Sequence, residues 1–598
     1  MIKRCNDFNL VKLKVDEKYF LFYQIWKELT EKKTLDTYQY RIMNTLLALQ
    51  ELNDIIDLRM KGYHTTNHNI EECQAETMSV IKKDNIIQKY YPVIGRRLMN
   101  HLGLTTDSVS KQLTLHYQIE YCYDILKEDY FRHLLEQLKI DIDSQDKKNI
   151  MAGVNCVISM CVSSGWTLSV LSELIYVFNN STEDSICWNN FTEQLLKHGV
   201  NSYKIFIPFQ IRGHLLSFQG KDTHAEQTLY AEIEDLGMVL KDSSELCDTY
   251  KYINFKKNKR YFVFDIDSYD YYMASHEATA KYADNLNLLS FYGIVDAWSL
   301  RDIRWLVANT ALQTCKELNA RDLYSVYDYM EGAYNLYKSS KIINRWEGTA
   351  LQMRLQSVYS YANMGKASYA QTERFMNTWV ALESLCRTGL YDNIISNVLE
   401  TVPAALCLRY IYKLYRNFME DCLRCKVDFC FSTETIDTEK SKEAAVEKLL
   451  SVFNNSVLYV ELEEKCNINC LLLERCHEMR NIAIDNTKMF DKIVRHYTNV
   501  RRQLARLYRI RNEIAHSAKQ DEVSLIKYVE HLDNYLATFV AEIVRCAAIK
   551  GDGTIEIETV FEIIKNNYRD FEAIQKSKGK IKADCLHRLL KTGVINLI

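Results

Sequence analysis

A chain of 598 residues with only 3 prolines and 18 glycines has few places where a helix is forced to stop. Proline removes a backbone donor and clashes with the preceding turn, and glycine loses the most backbone freedom inside a helix. With both scarce, long helices joined by short connections are the expected outcome. One hydrophobic core does not grow to this size, so two to four domains are expected. Hydrophobic residues make up 47% of the chain and charged residues 26%, an ordinary balance for a soluble folded protein.

Residues 1–180 read as helical. Tyr38 to Leu52 and Ile119 to Leu126 show helical periodicity, and a polar stretch from His64 to Asn69 separates two helical groups. Residues 181–300 change character. Tyr203 to Ile211 and Arg260 to Ile266 are aromatic and branched over strand length, and Asp267 or Ser268 is expected to cap a following helix. This segment reads as a small α+β domain. Residues 301–598 read as helical again, with Asp302 to Met364 expected to form several helices whose apolar positions include Trp305, Leu312 and Leu318. A polar break at Ser432 to Thr438 interrupts a helical insertion, and one or two helices follow Thr559, with a lysine-rich turn at Lys576 to Lys580. The expected fold class is mainly α and multidomain: a helical N-terminal region, a small central α+β domain and a C-terminal helical bundle.

The uncharged run from Met151 to Ser172 carries Asn155, Ser159, Ser163, Ser164 and Gly165 near its centre, which favours a buried helix or helix–turn over a membrane span. Met1-Ile-Lys-Arg-Cys-Asn-Asp lacks the apolar core of a signal peptide, and the 18 cysteines read as reduced thiols. A cytoplasmic protein is expected.

The stretch with most chemical content is Arg501-Arg-Gln-Leu-Ala-Arg-Leu-Tyr-Arg-Ile-Arg-Asn-Glu-Ile-Ala-His516. Val500, Leu504, Leu507, Ile510 and Ile514 recur at helical spacing, so it reads as a basic amphipathic helix. Asn512 and His516 share one face as an i,i+4 pair, which Arg509 joins one turn earlier and Arg502 two turns before that. Arg511 lies roughly 140° from His516 and falls in line with Leu504, Leu507 and Ile514. A guanidinium on an apolar stripe needs an anionic partner, because an unpaired buried charge is strongly unfavourable. A guanidinium also offers a planar fork to phosphate oxygens, and an imidazole moves protons near neutral pH.

A second helix is expected from Phe375 through Trp379 and Glu383 to Arg387, and a long one from about Val523 to Cys546. Arg511-Asn512, three residues and His516, in this setting, resembles the HEPN superfamily of ribonucleases, particularly large bacterial defence proteins with an ApeA-like C-terminal HEPN domain. The resemblance covers about a quarter of the chain and places that domain at about 365–550. It implies a metal-independent endoribonuclease in which Arg511 clamps the phosphate, His516 is the general acid/base and Asn512 orients. It also implies that Glu383 holds Arg511 or orients His516, while Arg502 and Arg509 guide the RNA backbone. One helix supplies one imidazole and the reaction has two proton transfers, so a homodimer with a shared active site is expected. Anti-phage defence or abortive infection, with a phage or cellular trigger acting through the N-terminal domains, is the setting the family implies. A non-catalytic HEPN-like RNA-binding or scaffold protein is the alternative.

Other chemistry finds little support. Net charge is −3, so RNA binding must come from a local patch. Cys422, Cys425, Cys466 and Cys470 are spaced like metal ligands but lie in a helical segment without a glycine-rich knuckle, and read as buried thiols. His224-Ala-Glu226 lacks the Pro-Cys-x-x-Cys that a zinc deaminase requires. No phosphate-binding loop and no dinucleotide fingerprint occurs. No cofactor is expected.

Overall fold

The computed structural model describes residues 15–31, 41–62, 67–179, 183–197, 199–209, 238–291, 304–319, 346, 348–368, 370–438, 442–517, 522–549 and 555–577. The fold is mainly α, with one small sheet inserted between two helical regions.

The N-terminal region consists of α1 (Phe20–Thr30), α2 (Thr45–Met60), α3 (Asn67–Ile81), α4 (Asn85–Tyr90), α5 (Pro92–Leu102), α6 (Val109–Asp143), α7 (Lys147–Ser163), α8 (Leu168–Leu174) and α9 (Asp184–Leu196). Several start on side-chain caps: Asn44 accepts from the Leu47 amide, and Asp84 from those of Ile86 and Ile87. In α6 the buried Leu115, Ile119, Cys122, Leu126 and Tyr130 recur every three or four residues and form the face that packs inward. Trp26 is fully buried among Phe22 and Phe191, and its indole donates to the Leu171 carbonyl at 2.7 Å. The uncharged run after Met151 is α7, a turn and α8. Gly165 makes that turn at φ +99°, and a Cβ there would meet the Tyr269 ring at 2.4 Å. No single helix among the described residues is long and apolar enough to cross a membrane. The reading of Tyr38 to Leu52 is described only from residue 41, and the polar stretch after His64 only from Asn67.

The sheet has the order β2-β3-β1-β4-β5 and every pairing is antiparallel. Its strands are β1 (Asn201–Phe209), β2 (Leu240–Asp242), β3 (Arg260–Ser268), β4 (Arg304–Asn309) and β5 (Thr314–Asn319). Strand alternation sends Tyr203, Ile205, Ile207 and Phe209 to one core cluster, and Phe206 to another with Phe255 and Tyr261. A short helix, α10 (Ser243–Thr249), follows β2, and α11 (Tyr271–Phe291) covers the first face with Ala274, Ala278 and Tyr282.

Two expectations need correction here. Trp305 and Leu318 lie on strands, not helices. Trp305 and Val307 both reach the α11 side of the sheet, an alternation of two that outweighs the near-helical spacing of Trp305, Leu312 and Leu318. Leu312 is 69% exposed in the hairpin turn, where Gln313 has φ +51°. The cap of α11 is Asp270, whose Oδ1 accepts from the amides of Tyr272 and Met273 at 2.8 and 2.9 Å. Asp267 and Ser268 are still in β3. The helical expectation for 320–345, the His224-Ala-Glu226 motif and most of the lysine-rich turn lie outside the described residues.

The C-terminal region consists of α12 (Ala350–Ala367), α13 (Gln371–Cys386), α14 (Ile394–Leu408), α15 (Tyr410–Arg424), α16 (Lys442–Asn454), α17 (Ser456–Cys466), α18 (Cys470–Ile484), α19 (Asn486–Ser517), α20 (Glu522–Ile549) and α21 (Ile557–Ser577). The insertion between α13 and α19 is helical, and its polar break holds only a bridge between Cys430 and Thr435. One continuous cluster of buried side chains runs from Val15 to Phe571 and joins both helical regions, while the sheet keeps its own. Charge is buried at that junction too. Arg475 meets Asp421 at 2.8 Å and Glu28 of α1 at 3.6 Å, and Arg424 meets the same two carboxylates at 3.3 and 3.6 Å.

Within the bundle, Arg374 on α13 contacts Asp533 on α20 at 2.5 Å, and Thr378 donates to the other oxygen at 3.0 Å. Both partners of this ion pair are almost inaccessible. Removing one member strands the other charge in the interior, at a cost of about 3–5 kcal/mol. Asp533→Ala is therefore predicted to lower the urea midpoint of the full chain by the equivalent of that loss. Asp533→Asn, which keeps an acceptor for Thr378, should lose less; equal midpoints for wild type and Asp533→Ala would refute the assignment.

Candidate functional site

The basic stretch is the C-terminal half of α19, a continuous helix of 32 residues. Its apolar stripe is buried as its spacing requires: Leu504 and Leu507 are inaccessible, with Val500 and Ile514 nearly so. α13 packs against it, and the fully buried Trp379 ring lies 6.0 Å from that of Tyr508.

Glu383 and Arg511 are brought together across these two helices. The Trp379 indole donates to Glu383 Oε1 at 2.7 Å, and the second carboxylate oxygen faces Arg511 Nη2 at 3.5 Å. Trp379 and Glu383 are one turn apart on α13, so the indole fixes the carboxylate before the guanidinium reaches it. Arg511 Nη1 also donates to the side-chain oxygen of Asn512 at 3.2 Å. Arg511 Nε is buried and has no acceptor among the described residues. Arg511, Asn512 and Glu383 are all partly accessible, and Glu513 and Ala515 beside them are exposed. His516 lies in the last turn of α19. Its side chain is outside the described residues.

The remaining arginines of α19 divide into two groups. Arg506 is buried between α2 and α3: its Nε faces Glu51 at 2.9 Å and its Nη2 faces Glu76 at 2.8 Å. Arg509 pairs with the same Glu51, and Arg501 pairs with Glu72 and lies 3.7 Å from Glu400. Burial alone would raise the Glu51 carboxyl, but Arg506 and Arg509 outweigh it and hold the group below its usual value. Burial likewise disfavours the charge on Arg506, and Glu51 and Glu76 more than restore it. Arg509 is therefore turned to a protein carboxylate in this structure, not to open solvent.

Arg502 belongs to the second group. It has no carboxylate partner among the described residues and lies near Lys83, together with Arg41 and Arg495. Desolvation first, and then these three guanidinium groups, depress the Lys83 ammonium below its normal value. Mutual repulsion of this kind marks a patch that gains from an anion.

The acidic residues of α2 and α3 were not legible as partners of α19. Glu51, Glu72 and Glu76 look like ordinary surface carboxylates in sequence, and more than 400 residues separate them from Arg501 and Arg506. Only the opposite signs of two amphipathic segments hint at the match.

Of the cysteines spaced like ligands, Cys422 and Cys466 are buried, Cys425 is partly buried and Cys470 is exposed. No group of three or more metal-binding side chains assembles among the described residues.

The Glu51 cluster makes stability depend on pH with a definite sign. Its folded pKa lies below the unfolded value of about 4.3, so the stabilisation is complete above that pH and fades as pH falls through the folded value. Glu51→Gln is predicted to melt well below wild type at pH 7, with the gap narrowing below about pH 4. A gap that stays constant from pH 7 to pH 3 would contradict this account.

No family model matches the chain, and no curated protein or solved structure shows significant similarity to it.

Proposed function

We propose that the chain is a cytoplasmic, metal-independent endoribonuclease of HEPN type, with Arg511, Asn512, His516 and Glu383 as its site. The observation that carries this reading is the Arg511–Glu383 contact, formed between two separate helices and left partly open to solvent. A guanidinium so held is charged and aimed before substrate arrives, and charge fixed in advance is the larger part of phosphoryl-transfer catalysis. His516 sits on the same face as Asn512 and supplies the proton transfers. Cleavage proceeds by attack of the ribose 2′-OH on the adjacent phosphate, so the substrate is RNA. A two-fold dimer brings a second copy of the motif to the same cleft and provides the second imidazole. The patch of Arg502, Arg495, Arg41 and Lys83 guides the strand. Arg509 contributes there only if Glu51 releases it. The N-terminal helices restrain the enzyme until a phage or cellular trigger acts, and RNA cleavage then arrests growth as an abortive-infection effector.

A non-catalytic HEPN-like RNA-binding or scaffold protein is the second reading. It is favoured by the carboxylates of α2 and α3, which neutralise part of the basic face of α19.

One substitution separates the two. His516→Ala is predicted to lower RNA cleavage by about 10²–10⁴-fold, the usual worth of a general acid or base, while the dimer persists in sedimentation. Wild-type protein that never cuts RNA, with or without phage components, would decide for the scaffold.

A further inference from the structure

Helix α6 carries a second row of apolar side chains besides the one that packs inward. Leu115, Ile119, Cys122 and Leu126 are buried on its inner side. Val109, Leu113, Tyr117, Tyr121 and Ile125 lie on the outside, between 37% and 66% exposed. Apolar side chains scattered singly over a surface are ordinary, but these five follow one another at a constant spacing of four. That spacing makes one unbroken ridge on a helix, about 24 Å long at a rise of 1.5 Å per residue.

Three features indicate what covers the ridge. The first is its order. Val109 and Ile125 are branched aliphatic residues at the two ends, Tyr117 is the midpoint, and Leu113 and Tyr121 stand equally far from it. Two copies laid antiparallel about Tyr117 set Val109 against Ile125, Leu113 against Tyr121 and Tyr117 against itself. Every apolar side chain of the ridge then meets another, and a two-fold axis through Tyr117 achieves this with a single surface.

The second feature is charge. Glu120 and Asp124 border the ridge on one side. In the antiparallel arrangement they face Thr114 and Ser110 of the other copy. Just beyond the ridge, Lys127 faces Asp107, opposite in sign. Within one chain Lys127 already meets Asp124 at 2.6 Å and Asp107 meets Lys111 at 3.0 Å, so the charges alternate across the join. A parallel pair would instead set Glu120 against Glu120 and Asp124 against Asp124, and facing like charges are unfavourable.

The third feature is shape. The row on the other side of the ridge is Ser110, Thr114 and Gln118, uncharged and shorter than the tyrosines. It leaves a groove beside the ridge. Ridges of this spacing fit into such grooves when two helices cross at about −50°, the commonest packing class.

We infer that the outer ridge of α6 is a self-association surface, on which a second copy of this chain pairs antiparallel about a two-fold axis through Tyr117. One helix a side makes a contact at the small end of specific interfaces, under about 1,200 Å² in total, so the pairing is reversible. The inference does not rest on the nuclease reading. It involves none of Arg511, Asn512, His516 or Glu383, and it holds equally for a chain that cuts no RNA.

The test is sedimentation of the full chain at rising concentration, up to about 200 μM, which populates contacts of micromolar affinity. The wild type should gain mass as concentration rises. Tyr117→Glu and Tyr117→Lys each put two like charges on the axis, and each should sediment at half the wild-type mass at the highest concentration. An equimolar mixture of the two should regain the wild-type mass, because opposite charges then meet. Tyr117 is more than half exposed, so the melting temperatures of both variants should stay within a few degrees of wild type. A wild type that stays monomeric throughout would overturn the inference. So would a Tyr117→Glu protein that keeps the wild-type mass, which would place any pairing elsewhere, the Arg511 cleft included. A mixture no heavier than its components would overturn the axis through Tyr117. If the Tyr117 variants do not fold, Val109→Glu mixed with Ile125→Lys carries the same comparison at the two ends of the ridge.

Discussion

A guanidinium taken out of water must find carboxylates or the structure fails around it, and Arg506 is the place where this chain meets that condition. It is almost inaccessible on α19, and two carboxylates from opposite sides, Glu51 on α2 and Glu76 on α3, close on it. Neither partner can leave without stranding a charge. The two N-terminal helices are thereby fixed to the helix that carries the Arg511 motif. The Glu28 cluster with Arg424, Arg475 and Asp421 repeats the device at α1 and α18.

This pairing divides α19 by function. Along one side its arginines are consumed by the protein's own carboxylates. Along another, Arg502 and Arg495 stand with Lys83 and Arg41 and meet no acidic group among the described residues. Near its end, Arg511 is held loosely, at 3.5 Å and partly in solvent, by a carboxylate that Trp379 has already oriented. A tight buried pair serves stability; a loose, half-open one leaves a guanidinium able to exchange its partner for a phosphate. The proposed nuclease site depends on that difference in burial between Arg506 and Arg511, two residues that look alike in sequence.

The mainly helical fold was legible because few residues in this chain can stop a helix, and the apolar spacing of α19 identified that element. Glu383 was singled out only through the family resemblance, not by its spacing. The hairpin of β4 and β5 was misread because its apolar residues happen to fall near helical spacing and its partner strand lies a hundred residues earlier. Strand pairing of that kind is decided by tertiary contact, which no local window contains. The same reason hid Glu51 and Glu76.

The unbroken interior from Val15 to Phe571 has a practical corollary. A cut near residue 180 would not release two self-sufficient halves. It would lay open the apolar faces of α1 and α18 and leave Arg475 and Arg424 facing water where Glu28 had been. Shortened versions of this protein should therefore clump or melt for reasons unrelated to regulation, and silence from such a fragment would carry no message about what the amino-terminal helices do.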